Sequence, residues 1–431
     1  MEGITLNDNY TQYNSDSIYQ FLDEDDASEA IDFIKDPSNF RTFNEGLSEI
    51  MIKKGYISDS TAPDEISQIL YKKLTDIGSS LSLNTISSWI KGDHRPKVEA
   101  GYRKNIYEIC YALNLTFNET IWFFHHVYYD RAFNCHTIDE SVYYFCLKNN
   151  IAYKDSLDII KEIENSPDNT SSYEETSNYT LFIQKTIDKI ESVDELITFL
   201  TLNKANFKSW NASAYQTLED LVKDLLPSEN GKKEIEKIKR KIKATHSIYG
   251  IIPKKNNQNE WGLIMQEFFY DLTDESYLDI LDGKNIRSKN FLLEQILGMK
   301  LITDKEKKRF IDKASIPDIV KNNFPSRKTM SDVLSEDKIT QSKSYDSIRK
   351  LIILLEFYRY WCSIKIIDEE YDDFENPLSD AFIDEINYTL YLCGYEEMYA
   401  GNPYDWIFMC SAQADDPLSY FRQCITFILD E

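Results

Sequence analysis

The sequence predicts an all-α protein built as a multi-domain array of small helical units. Three observations predict it. Apolar residues recur at i, i+3, i+4 and i+7 through much of the chain, which is the spacing of one helix face. Helix-capping signals stand before several of these stretches. No alternation of apolar and polar residues runs long enough to demand a sheet, and 13 Gly and 11 Pro in 431 residues are too few for a turn-rich sandwich or barrel.

At 431 residues the chain exceeds one ordinary core, so several units are expected. The net charge is −25, a field that repels nucleic acid and anionic membranes at long range. It is unevenly spread. Residues 1–60 carry −9 and residues 366–431 carry −15, whereas residues 232–255 carry +7. The seven cysteines include no CxxC pair and sit among apolar neighbours, the pattern of reduced core thiols in a cytoplasmic protein. MEGITLNDNYTQYN has neither the basic nor the apolar region of a signal peptide. No segment has the ~18 apolar residues of a membrane span.

Along the chain, residues 1–40 are polar and acidic (DEDDASE at 23–29) and read as an N-terminal arm. A first unit spans 41–165, in which Ile106, Ile109, Cys110 and Leu113 line one helix face. The segment 166–180 contains SPDNTSSYEETSN and reads as a linker. Residues 181–250 form a helical connector. Ile183, Ile187 and Ile190 share a face, Ser192-Val-Asp-Glu195 is a capping box, and Ile235, Ile238 and Ile242 line a basic helix. A second unit spans 259–325, with a capping box at Thr303-Asp-Lys-Glu306. A third, acidic unit spans 326–431, with Ile348, Leu351, Ile352 and Leu355 on one face.

The three units share a weak internal repeat. TISSWIKGDHRPK, a helix (IYEICYAL) and NLTFNETIWFF in the first correspond to SYLDILDGKNIRSK, FLLEQILGM and KLITDKEKKRF in the second. Each has a short helix ending at Gly, where a left-handed cap stops it, then a basic turn and an apolar helix. The back half, residues 118–146, is similar to residues 383–411, with Asp139 expected opposite Asp405. The front half of the third unit falls at 327–357, where Ser335-Glu336 replaces the Gly.

Thr85-Ile-Ser-Ser-Trp89-Ile-Lys-Gly92-Asp-His-Arg-Pro96, followed by Ile109-Cys-Tyr-Ala-Leu113, resembles the second half of the Cro/repressor-type helix-turn-helix, the XRE-like family. The aromatic continuation is similar to longer XRE-like proteins of clostridial bacteria. The resemblance covers about half of the chain. It implies three diverged helix-turn-helix-like repeats, the helix before Gly92 being a recognition helix for the major groove. Asn84, Ser87, Ser88 and Lys91 would then meet base edges. His94, Arg95, Lys97, Arg103 and Lys104 would meet the phosphate backbone. Further phosphate contacts are expected from Lys237, Lys239, Arg240, Lys241 and Lys243 of the basic helix, and from Lys284, Arg287 and Lys289 of the second unit. One departure is visible: where the family carries its scaffold helix, this chain reads IGSSLSL at 77–83, so that helix is expected to be missing.

Other constellations carry less. His125-His126 with Cys135 and His136 lacks zinc-ligand spacing and reads as packing. The acidic runs lack the Gly and terminal Glu of a calcium loop. No Walker loop, GxGxxG, GxSxG or HExxH occurs, so no catalytic residue, metal or cofactor is assigned. Tyr395–Trp406 reads as core around a Gly401-Asn-Pro turn. The sequence therefore points to a non-enzymatic, cytoplasmic regulatory protein that binds double-stranded DNA through its first unit. Its acidic C-terminal unit would serve self-association or a protein partner. The alternative is a protein–protein interaction scaffold that has lost DNA binding.

Overall fold

The computed structural model describes residues 9–18, 27–98, 100–135, 137–167, 179–209, 212–225, 293, 296, 323–325, 327–335, 345–367 and 378–426. Among them every regular element is a helix. The basic stretch 232–255 and nearly all of the second unit lie outside the described residues.

The first unit opens with α3 (Phe43–Lys53), after α1 (Asn9–Ile18) and α2 (Ser28–Lys35). Thr42 and Glu45 form a reciprocal capping box at its start. Then come α4 (Pro63–Asp76), α5 (Leu83–Lys91), α6 (Ala100–Ala112) and α7 (Phe117–Phe123), the last again opened by a capping box, Thr116 with Glu119. A π-helical turn, Phe124–Tyr128, prolongs α7 and ends at Tyr129 in the left-handed region (φ 60°). Next are α8 (Ile138–Lys148), α9 (Tyr153–Asn165), α10 (Tyr179–Ile187) and α11 (Val193–Leu202). The capping signal at Ser192 operates: its hydroxyl accepts from the Glu195 amide, while Glu195 reaches back to the amide of Glu191. One apolar core runs from Phe43 to Phe207 through these helices. Where no helix was expected before α5, the chain forms α4. It packs against both α5 and α6, and buries Ile66, Leu70 and Leu74. IGSSLSL is the turn after it. Pro63 at the first helical position and Asp64 and Glu65 in the first turn are good helix starters, which the family's apolar-Ala pattern does not capture.

A second core joins α12 (Ala212–Leu225), α13 (Arg327–Ser335), α14 (Tyr345–Ile367), α15 (Leu378–Leu392), α16 (Pro403–Ser411) and α17 (Pro417–Thr426). The acidic arm belongs to this core as well. Ala30, Ile31, Phe33 and Ile34 of α2 form a buried apolar face that follows the DEDDASE run in sequence. Phe33 stacks on Trp406 with centroids 4.7 Å apart, and the indole Nε1 donates to the Asn14 carbonyl and the Ser17 hydroxyl. Tyr395, Tyr399, Tyr404 and Trp406 are buried, and Asn402 caps α16.

The first and third units share a buried clasp. Arg103 on α6 bonds to Asp130, to Glu140 and to the carbonyls of Arg131 (2.8 Å) and Ala132 (3.3 Å). Arg349 on α14 bonds to Asp405 (2.7 and 2.8 Å) and to the carbonyls of Glu396 (3.3 Å) and Glu397 (3.2 Å). Tyr129 and Gly394 hold matching left-handed turns, at φ 60° and 77°. Counted without gaps along 118–146 and 383–411, Glu140 and not Asp139 falls opposite Asp405, and each of these two carboxylates holds a buried arginine. Asp139, one position earlier on the same helix, is half-buried, and its burial raises the carboxyl pKa.

Candidate nucleic-acid interface

The helix α5 is amphipathic. Ile86, Trp89 and Ile90 are buried against α3 and α4, with Trp89 edge-on to Phe43 at 6.0 Å. The Ser82 hydroxyl caps its start by accepting from the Thr85 amide. Gly92 ends it at φ 78°, a conformation that costs a side chain ~1 kcal/mol or more. The opposite stripe runs Asn84, Ser87, Ser88, Lys91. Asn84 and Lys91 are exposed, and the two serines between them are half-buried.

The expected phosphate contacts divide. His94, Lys97 and Lys104 are exposed. Arg95 is half-buried: its guanidinium donates to Asn323 Oδ1 (2.6 Å) and to the Tyr128 carbonyl (3.0 Å), and lies 5.6 Å from the Tyr129 ring. Arg103 is an interior residue, 2% exposed, and cannot reach a phosphate in this conformation. It sits three and four residues before Ile106 and Tyr107, on the buried face of α6, and this spacing was the signal available in the sequence. Its partner Asp130 shows what burial does to a carboxyl: desolvation pushes the pKa up to about 6, against the pull of Arg103. Lys237, Lys239, Arg240, Lys241, Lys243, Lys284, Arg287 and Lys289 lie outside the described residues.

Carboxylates moderate the exposed basic rim. Lys91 pairs with Asp64 at 2.9 Å, and this hydrogen bond and charge raise the pKa of its ammonium. Asp93 is exposed beside it. The stripe is therefore mixed in sign, with Lys97, His94 and Lys104 its exposed basic members.

Elsewhere the chemistry is that of packing. The His125 ring lies 4.2 Å from Tyr399, and His126 stacks on Trp122 at 5.2 Å. The six described cysteines are free and buried. Desolvation raises their pKa values, that of Cys393 to about 11 and those of Cys146 and Cys410 to about 12, so these thiols stay protonated. Among the described residues no helix is long and apolar enough to cross a membrane. The chain matches no family model, no curated protein and no solved structure.

Proposed function

We propose that the protein is a regulator that binds double-stranded DNA through α5 of its first unit. One observation carries the reading. The helix α5 rests on α3 and α4, is capped at Ser82 and at Gly92, and turns the stripe Asn84–Lys91 outward, and His94, Lys97 and Lys104 are exposed too. Asn84 has the amide that pairs with adenine in the major groove. Lys91, Lys97 and Lys104 supply phosphate contacts, which position the helix without reading sequence. The acidic remainder of the chain limits non-specific affinity, because its field opposes the duplex at long range.

A second reading, a protein-interaction scaffold, is favoured by one specific feature: the pairing of Lys91 with Asp64, which leaves the stripe nearly neutral. A fluorescence-anisotropy titration of a labelled duplex at about 50 mM salt, where electrostatic binding is strongest, separates the two. The regulator binds in the nanomolar to micromolar range, and Lys91→Glu with Lys97→Glu abolishes binding. A chain that ignores duplex DNA under these conditions is the scaffold.

A further inference from the structure

The basic turn after α5 faces the second core, and one of its cations is already taken. Arg95 Nη1 donates to Asn323 Oδ1 at 2.6 Å and Nη2 to the Tyr128 carbonyl at 3.0 Å. Asn323 is 2% exposed, and the adjoining Phe324 packs its ring on Tyr404 of α16 at 4.9 Å, so the acceptor is anchored to the second core. The same joint is closed nearby by His125, whose Nδ1 lies 3.5 Å from Glu396 and whose ring meets Tyr399. Arg95 is thus the point where the candidate DNA surface and the second core touch through a specific polar bond.

We infer that this structure is a closed state, in which docking of the second core through Asn323 withdraws Arg95 from DNA. The inference rests on the DNA-binding reading above and adds its regulation. A guanidinium that donates to Asn323 and Tyr128 directs both of these nitrogens into the joint, and a phosphate must compete with them. Release of the Asn323 bond frees Nη1 for a phosphate beside the rim formed by His94 and Lys97, while Nη2 can keep the Tyr128 carbonyl. Near the same joint Lys350 is buried and paired with Asp346 at 2.5 Å, and its burial holds the ammonium pKa down.

The test is a salt titration of duplex binding by the full chain and its variants, using a labelled duplex of random sequence. Asn323→Ala frees Arg95. Its binding tightens about threefold at low salt, and the slope of log K against log salt steepens by about 0.9, the value of one phosphate contact. Asn323→Asp puts a carboxylate against the guanidinium and weakens binding instead. It keeps the side chain's shape, so it decides the matter if the alanine variant does not fold. Both effects vanish in an Arg95→Ala background. If the wild type binds but neither Asn323 variant moves affinity or slope, or if their effects persist without Arg95, the closed-state inference is overturned and the DNA reading stands. If no variant binds duplex at all, the DNA reading fails and takes the inference with it.

Discussion

Arg103 and Lys104 are neighbours in sequence with opposite fates. Lys104 is solvated, whereas Arg103 is 2% exposed and holds Asp130 and Glu140 together. The helix period decides this, since position 103 falls on the face of Ile106 and Cys110. Inside the core an arginine persists only if its donors are used, and here Asp130, Glu140 and two carbonyls use them. Removing such a charge strands its partners. Arg103→Met should cost about 3–5 kcal/mol, and Arg349→Met should cost a similar amount by leaving the Asp405 charge buried with only the Tyr399 amide to serve it. Urea unfolding checks both, and a loss under about 1 kcal/mol would mean that the clasp is incidental. The ungapped pairing of 118–146 with 383–411 places Glu140 opposite Asp405, so the expected partner Asp139 was one position off in the sequence itself; that both carboxylates hold a buried arginine was not legible there.

At the scale of elements, caps define where helices begin and end. Ser82 and Gly92 bracket α5, Thr42 with Glu45 opens α3, and Thr116 with Glu119 opens α7. Glu119 also pairs with Lys54 at 2.6 Å. Its burial raises the carboxyl pKa, but Lys54 and the Thr116 amide outweigh this and bring it below its ordinary value. That bond ties the end of α3 to the start of α7 and stiffens the frame under α5. The prediction at this scale concerns α5 itself. Ser82→Ala leaves the Thr85 amide without its hydroxyl and should cost about 1 kcal/mol of stability. It should also loosen α5 enough for amide hydrogen exchange to accelerate in its first turn, while α8 and α9 remain protected. Uniform acceleration across the first unit would show that α5 does not open on its own. The helix α4, which the sequence reading missed, starts at Pro63 with Asp64 and Glu65 in its first turn, signals that a motif centred on Ala and Gly passes over.

On the scale of the whole molecule, the arm at the N-terminus is part of the core farthest from it in sequence. Phe33 and Trp406 are stacked, the Phe40 ring is edge-on to Trp406 at 6.2 Å, and the Ala27 amide donates to Gln423. The chain leaves that core at α3, builds the first unit, and returns with α12. Phe33→Ala should destabilise the second core by about 3–5 kcal/mol. Two cores imply two unfolding transitions, so in urea the transition reported by Trp406 should move to lower concentration while that of the first unit stays. A single transition, shifted as a whole, would mean that the joint at Arg95, His125 and Tyr399 couples the units fully.

The sequence by itself determined the helices, their caps and their buried stripes, because these depend on residues at most seven positions apart. It also determined which side of α5 is polar. The tertiary structure alone decided that Arg103 is interior, that Arg95 is held by Asn323, that Lys91 is paired with Asp64, and that the acidic arm lies on the C-terminal core. Each of these depends on what stands opposite a side chain after folding. A charge near a basic turn reads the same in sequence whether it faces solvent, a carboxylate 2.9 Å away or a buried amide 228 positions along the chain.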